Sequence, residues 1–576
     1  MNKPTTRTPA QQHAIESTAS QIVVVAGPGS GKTATTVQRI LSLIELGTDP
    51  ASIVAITFTN AAANELRHRI NRSPKTGEWG SEPDVPVSLG YIGTLHSFAL
   101  RMLKQYGEAQ GYGERISIIS AESATELLET KAKQLGCKLK TQDLLELKAK
   151  WAPTPGRMTL AETVVASYYH DLKESGIVDF DNLLQAFLEM VENNDEANAR
   201  IAARFTSLFV DEMQDSSSVD WDIYDQLPIA RKFYVGDPDQ AIYSFRGGRV
   251  EHLIERAKSS KVQTIVLEDN FRSHTEICQA AQRLIERNAD RVQKQTRSRK
   301  GIGGTIEVHA AGNEGEESAI VIRRIQQLDA DMSIAVLCRT NAVAYEYRQQ
   351  LRANGLPVAE PKRSTLPKDW PMARALVELL GNPENDTLAK FYLRARFTAL
   401  GHPPAKVREL VNSIVMGAAV QMKTINQAHL LLPAYTVAAG VLGTCITQGV
   451  SAESRMLLNE VVTTVGPEAP PLELALAMNS MRDGKPEENN TLIQVLTIHG
   501  AKGLEFDAVF LVGFEDQLIP GRANSQDAIA EERRLAYVAI TRARKHLTIT
   551  HSATRKTSWG SISQNTPSRF IKEAKL

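Results

Sequence analysis

Ala26-Gly27-Pro28-Gly29-Ser30-Gly31-Lys32-Thr33 is the stretch that decides how this chain is read. Before it, Ile22 to Val25 is a short apolar, β-branched run with the character of a buried strand. After it, Thr33 to Leu46 spaces Val37, Ile40, Leu41 and Ile44 along one helical face. The glycines between strand and helix let the backbone curl with its N–H groups turned inward. A polyphosphate is held in such a loop by those amides and by the helix N-terminus. Gly27, Gly29, Ser30 and Gly31 form the cradle, Lys32 reaches the β- and γ-phosphates, and Thr33 offers a hydroxyl to Mg²⁺. Ala26 stands where the usual pattern begins with Gly. The competing reading is a Gly-rich turn with an incidental Lys; the flanking strand and helix count against it.

Working outward, the 576-residue length predicts several domains, and 42% hydrophobic with 23% charged residues describes a globular protein. No apolar run approaches the roughly 20 residues that span a bilayer. The polar start, Met1 to Gln12, lacks the apolar core of an export signal. Cys137, Cys278, Cys338 and Cys445 lie far apart, which argues against a zinc site or a disulfide framework and fits a reducing cytoplasm. A cytoplasmic protein with no membrane partner is therefore expected. The formal net charge of zero neither supports nor excludes nucleic-acid binding, because a neutral total can contain a basic groove. Two local runs, the basic Arg291, Lys294, Arg297, Arg299, Lys300 and the acidic Glu314, Glu316, Glu317, read as solvated faces.

Strand and helix signals alternate at the start: a strand over 53–58, a helix over 61–70 and a strand over 87–92. A mainly helical stretch follows from about 94 to 204. Strand signals resume at 207–210, 232–235 and 262–267. A second α/β block has strands at 306–309 and 334–337, a helix-rich stretch over about 356–486, and strands at 492–498, 508–512 and 547–550. The expected parse is two α/β domains, each interrupted by helices. The first comprises 1–93 and 200–267 around an insertion at 94–199; the second comprises 268–355 and 488–576 around an insertion at 356–487.

Phe209-Val210-Asp211-Glu212-Met213-Gln214-Asp215 follows an apolar strand. Acids at the C-terminal end of such a strand stand where a nucleotide hydrolase needs them. Asp211 would bind Mg²⁺ and Glu212 would act as general base on the attacking water. Taken alone, the pair reads equally well as acids on a surface loop; the phosphate loop tips the balance.

These motifs and their order resemble the superfamily 1A helicases, the UvrD/Rep/PcrA group. The resemblance runs from Thr8 to Arg544 and is weak across both insertions. It implies an α/β fold of two RecA-like, parallel-sheet P-loop NTPase domains, each with a mainly helical insertion. It also implies roles for particular residues. Thr8-Pro9-Ala10-Gln11 resembles the adenine-reading element, in which Gln11 bonds both edges of the base. Gly236-Asp237-Pro238-Asp239-Gln240 and the following Tyr243, Phe245 and Arg246 resemble the motif that couples nucleotide to nucleic acid. Gln240 would sense the γ-phosphate, and the aromatics would stack on bases, although aromatics in such a run also fill cores. Phe58-Thr59-Asn60 and Gly93-Thr94-Leu95-His96 resemble strand-contacting elements, with Ala61 where the family usually has Lys. A lone His is more often structural; within this motif the structural and strand-contacting readings of His96 stand about even.

Asn270-Phe271-Arg272-Ser273 and Ile540-Thr541-Arg542-Ala543 resemble the motifs whose arginines point at a nucleotide bound on the other domain. An isolated Arg is more often an ordinary salt-bridge residue; the motif context assigns Arg272 and Arg542 to the phosphoryl group. Phe271 replaces a more usual Tyr and keeps a flat face for adenine. Thr497-Ile498-His499-Gly500-Ala501-Lys502-Gly503-Leu504-Glu505 implies a strand contact by His499 and a ribose contact by Glu505. Ala34 stands where an Arg often packs on adenine. The second insertion reads as shortened, which bears on duplex separation more than on ATP hydrolysis. The 34 residues after Arg542 leave no room for an appended nuclease domain.

The resemblance therefore implies an ATP- and Mg²⁺-dependent motor that moves 3′ to 5′ on single-stranded DNA and at single-strand/duplex junctions. The alternative is a nucleotide-gated DNA-binding switch that recruits a partner such as a nuclease in repair or phage defence. A motor directed to RNA ranks third.

Overall fold

The computed structural model describes residues 7–72, 87–112, 116–119, 121–149, 158–174, 177–244, 247–359, 492–556 and 561–576, with isolated positions between 403 and 478. The expected insertion at 356–487 lies almost wholly outside the described residues, as do Phe245 and Arg246.

Six parallel strands make the first sheet: β1 (Gln21–Ala26), β2 (Ile53–Thr57), β3 (Tyr91–Thr94), β6 (Ser207–Val210), β7 (Arg231–Gly236) and β8 (Gln263–Leu267), in the order β3-β2-β6-β7-β1-β8. Between β3 and β6 the chain leaves the sheet, and its described residues there form six α-helices, from Leu95–Tyr106 to Asp195–Arg204, and a short parallel pair, β4 (Ser117–Ile118) with β5 (Ile177–Val178). The third expected strand was placed at 87–92, whereas the ladder with β2 begins at Tyr91. The apolar Val87 and Leu89 pack on the core without joining the ladder.

Strand β1 shows why the sheet is buried on both faces. Ile22, Val24 and Ala26 enter one core with Val37 and Ile40 of the helix Lys32–Glu45. Val23 and Val25 enter the opposite core. Period-2 alternation in an all-apolar strand gives each face its own apolar set, as a sheet covered by helices requires. The second of these cores runs without a break into the helical insertion through Phe98, Phe187 and Phe205. The insertion is thus anchored by shared apolar burial.

A short parallel pair, β9 (Asp269–Asn270) with β10 (Arg297–Ser298), links the first sheet to the second. The second sheet holds β11 (Thr305–Asn313), β12 (Ile334–Cys338), β13 (Gln494–Thr497), β14 (Phe506–Leu511) and β15 (Ala543–Lys556), parallel in the order β11-β15-β14-β12-β13. The strand β16 (Ile562–Gln564) pairs antiparallel with β15. β12 repeats the two-faced pattern, with Ala335 and Leu337 in one core and Ile334, Val336 and Cys338 in the other.

Two expectations about charge are corrected. Arg291 and Lys294 are buried, facing Asp239 and Asp237. Glu317 is also buried, where it accepts from Gly513 N at 2.8 Å and pairs with Arg555 at 2.6 Å. Each run looked solvated because the opposite charges that neutralise it lie far away in sequence. Arg297 and Arg299, in contrast, are exposed as expected.

Candidate nucleotide and nucleic-acid site

The phosphate loop joins the end of β1 to the helix Lys32–Glu45. Gly29 and Gly31 have φ of 64° and 79°, a left-handed backbone that other residues adopt at a cost. A β-carbon on Gly29 would lie 2.6 Å from Arg272 Cβ, and one on Gly31 would lie 2.9 Å from Gln11 Nε2. The helix starts with no side-chain cap, so its first amides remain available to an anion. Ser30 Oγ donates to Gly27 O at 2.7 Å and tightens the loop. Gln11 sits against it: Nε2 donates to Ser30 O at 3.0 Å, and Oε1 accepts from Thr8 N at 3.0 Å. Lys32 and Thr33 are partly exposed at the helix start.

The segment after β8 clasps the same loop. Asn270 Nδ2 donates to Pro28 O at 2.7 Å, and Phe271 N donates to Gly29 O at 2.9 Å. Asn270 Oδ1 in turn accepts from the amides of Arg272 and Ser273 at 2.8 and 2.7 Å. Arg272 is thereby held over the loop, where its guanidinium meets Glu505, and Glu505 also meets Arg544 at 2.7 Å. Burial opposes ionisation of Glu505, but Arg272 and Arg544 outweigh it and hold the carboxyl down to about 2. In this arrangement Glu505 faces two guanidinium groups.

Asp211 and Glu212 follow β6. Asp211 N donates to Ile56 O at 3.0 Å, and Asp211 Oδ1 accepts from Glu212 N at 2.8 Å. Glu212 has φ 56°, an unusual backbone for a residue with a side chain. Burial, then the neighbouring Glu212, push the Asp211 carboxyl up, with Lys32 only partly opposing them. Glu212 goes the other way: burial disfavours its charge, but Lys32 and Lys502 hold it ionised. A carboxylate held ionised by two lysines thus stands beside one whose charge Lys32 only partly compensates. That unmet need, next to Thr33 and a phosphate cradle, fits Mg²⁺.

From Glu212 a chain of polar contacts leads to the second sheet. Gln214 Nε2 bonds Glu212, and Gln214 Oε1 accepts from Asp237 N at 2.9 Å. Gln240 Nε2 donates to Asp237 Oδ2 at 2.5 Å, and Arg542 Nη2 donates to Gln240 Oε1 at 3.1 Å. Lys502 Nζ bonds Asp215 Oδ2 at 2.5 Å and Gln240 O at 2.9 Å. Burial pushes Asp215 up to about 6 despite Lys502.

Lys502 also lies 4.8 Å from the centre of the Tyr243 ring. Tyr243 stacks on Phe58, with ring centres 5.7 Å apart and planes 18° apart, and its hydroxyl donates to His499 O at 3.4 Å. Phe58, Tyr243 and His499 are therefore one cluster, and the Lys502 ammonium touches both its Tyr243 ring and Asp215. Phe58, Thr59, Asn60 and His96 line a cleft of about 2230 Å³ that reaches Asp211 and Glu212. His96 packs 5.3 Å from the Phe180 ring, and burial holds its imidazole down to about 4.

The sequence reading named Gln11, Lys32, Asp211, Glu212, Gln240, Arg272, Phe271, Glu505 and Arg542, and the structure gathers them around the loop. It missed Asn270 as the clasp on the loop, Gln214 as the link to Asp237, and Lys502 as the bridge to Tyr243. All three lie inside motifs that were quoted: Asn270 adjoins Phe271, Gln214 stands two residues after Glu212, and Lys502 stands three residues from both His499 and Glu505.

Residues 7–261 match the UvrD/REP helicase N-terminal domain, and residues 265–364 and 446–554 match the UvrD-like helicase C-terminal domain. The chain is 30% identical to the ATP-dependent DNA helicase PcrA of Leuconostoc citreum, covering 98% of this chain and 84% of that protein. It is 28% identical to the ATP-dependent DNA helicase Rep of Escherichia coli (98% and 93% covered) and 28% identical to DNA helicase II of the same species (98% and 86%). With a full-length relative at this identity and both family domains matched in order, the chain belongs to the UvrD/Rep/PcrA family of helicases.

Proposed function

We propose that this protein is an ATP-dependent DNA helicase that moves 3′ to 5′ along single-stranded DNA. The observation that carries this reading is the contact of Arg542 with Gln240, set beside Lys32 and Glu212. That contact brings a guanidinium from the second sheet to Gln240 of the first, which supports hydrolysis assisted from both sheets.

In this reading the amides of Gly29 to Thr33 and the Lys32 ammonium bind the phosphates, and Phe271 packs on the base. Glu212 accepts the proton of the attacking water. Arg272 and Arg542 stabilise charge on the transferred phosphoryl group, an effect worth roughly 10³–10⁵ in rate for arginine fingers. Thr33 and Asp211 would hold Mg²⁺, which when bound neutralises phosphate charge and orients the leaving group. Because groups from both sheets contact one nucleotide, ATP favours a closed arrangement and hydrolysis releases it. Lys502 gives this change a route to the bases, since it touches Asp215, Gln240 and the Tyr243 ring.

The test is the steady-state ATPase rate at one fixed salt concentration with no nucleic acid, single-stranded DNA, duplex DNA or single-stranded RNA. Stimulation by single-stranded DNA, followed by displacement of a strand from a 3′-tailed but not a 5′-tailed duplex, is the expected result. A rate unmoved by any of the three nucleic acids overturns the motor, and stimulation by RNA alone overturns the choice of DNA.

A further inference from the structure

Four charged side chains lie buried together beside the phosphate loop. Asp237 and Asp239 come from the turn after β7, and Arg291 and Lys294 from the segment after the helix Thr275–Ile285. None is more than 4% exposed. Lys294 Nζ bonds Asp237 and lies 2.8 Å from Asp239 Oδ2. Arg291 grips Asp239 with Nε at 3.1 Å and Nη2 at 2.6 Å. Two cations and two anions leave the cluster neutral, which is how charges survive out of water. A β-carbon built on Gly27 would lie 3.9 Å from Lys294 Cε, so the lysine stem runs alongside the loop.

The cluster crosses between the two sheets. The helix Thr275–Ile285 packs on the helices Gln526–Ile540 and Arg569–Ala574 of the second sheet's domain, whereas Asp237 and Asp239 follow β7 of the first sheet. Burial opposes charge on Lys294, but Asp237 and Asp239 raise its affinity for the proton. Burial likewise opposes charge on Asp239, but Lys294 and Arg291 keep it ionised.

Asp237 is also the group that orients Gln240. Its Oδ2 takes the Gln240 amide nitrogen, which leaves the amide oxygen to face Arg542. An amide turned the other way would place N–H groups against a guanidinium, which has no acceptor. We propose that Lys294 and Arg291 are positioning residues: by anchoring Asp237 and Asp239 they hold the Gln240 amide with its oxygen toward Arg542. The inference rests on the hydrolytic role proposed for Gln240 and Arg542, and it makes the basic segment of the second unit part of the hydrolytic apparatus.

The test compares Lys294→Met, Arg291→Lys and the charge-balanced double variant Lys294→Met/Asp239→Asn. Lys294→Met leaves a buried anion uncompensated and is expected to melt early. The double variant restores neutrality, so its Tm returns toward wild type while Asp237 stays unanchored. DNA-stimulated kcat in that double variant is expected to fall roughly 10–100-fold. Its KM for ATP is expected to stay within about threefold of wild type. Arg291→Lys, which keeps the charge, retains more activity than the double variant. Recovery of kcat together with Tm in the double variant overturns the proposal. A crystal structure of the double variant judges positioning apart from turnover: a Gln240 amide turned from Arg542 supports it, and an unmoved amide overturns it. Absence of ATPase in the wild type would instead overturn the proposed function and leave the crystal structure to decide the positioning.

Discussion

Arg542 Nη2 donates to Gln240 Oε1 at 3.1 Å, joining the residue that precedes β15 to the turn that follows β7. Arg542 is 1% exposed, and burial, with Arg272 nearby, lowers its guanidinium to about 9. Its other donors meet Val538 O at 3.0 Å and Leu504 O at 3.1 Å. An arginine held in this way keeps its charge with little water, and an approaching phosphate would supply the missing anion. Arg542→Lys is expected to lower kcat by about 10³-fold, because Lys cannot fill the carbonyl contacts and reach Gln240 together. Steady-state hydrolysis in saturating ATP checks this; a near-normal rate would remove Arg542 from the transition state.

Glu212→Gln preserves shape and removes only the basic oxygen. Hydrolysis is expected to fall roughly 10²–10⁴-fold while binding of a fluorescent ATP analogue persists. Lys32→Ala is expected to lose both, because the ammonium contacts the phosphates before any chemistry. Normal ATPase activity in either variant would contradict the assignment.

Phe58 and Tyr243 stack on each other and form one face of the cluster that includes His499. Removing a base-stacking ring costs about 1–3 kcal/mol per base. Phe58→Ala and Tyr243→Ala should therefore each weaken binding of an oligothymidylate by about 5–150-fold, measured by fluorescence anisotropy at fixed salt. The DNA-free ATPase rate should change little in Phe58→Ala. Unchanged affinity in the double variant would mean that these rings only pack on each other.

His96 carries a pH signature. Burial lowers its folded pKa to about 4, below the ordinary value near 6.5. The unfolded chain therefore binds the proton more readily between those values, and stability falls as pH drops from about 6.5 to about 4. Above that window the imidazole is neutral in both states and contributes no slope. His96→Asn should flatten urea stability across the window by about 1–3 kcal/mol. An unaltered pH profile would show that His96 is solvated in the folded protein.

The two parallel sheets were legible because their signals are local. Runs such as Ile22–Ala26 and Ile334–Cys338 carry their strand character in adjacent residues. The phosphate loop was legible for the same reason, since Gly29, Gly31, Lys32 and Thr33 act within one turn of backbone. The ends of strands were less so: the ladder at β3 begins at Tyr91, four residues after the start of the run that announced it, because register with β2 decides where pairing starts.

Charge is where tertiary structure overruled the sequence. In the chain, Arg291 and Lys294 belong to a basic run with Arg297 and Arg299, and nothing local separates the two pairs. In the fold, the first two enter a dry pocket with Asp237 and Asp239, while the last two stay exposed. A buried ion needs its counter-ion within a few ångströms, and here the partners lie some 50 residues apart. The sequence by itself determined which residues can bind a phosphate, take a proton or stack on a base. Only the tertiary structure decided which charges lose their water and which amide Arg542 faces, because both depend on segments that meet through the packing of two sheets.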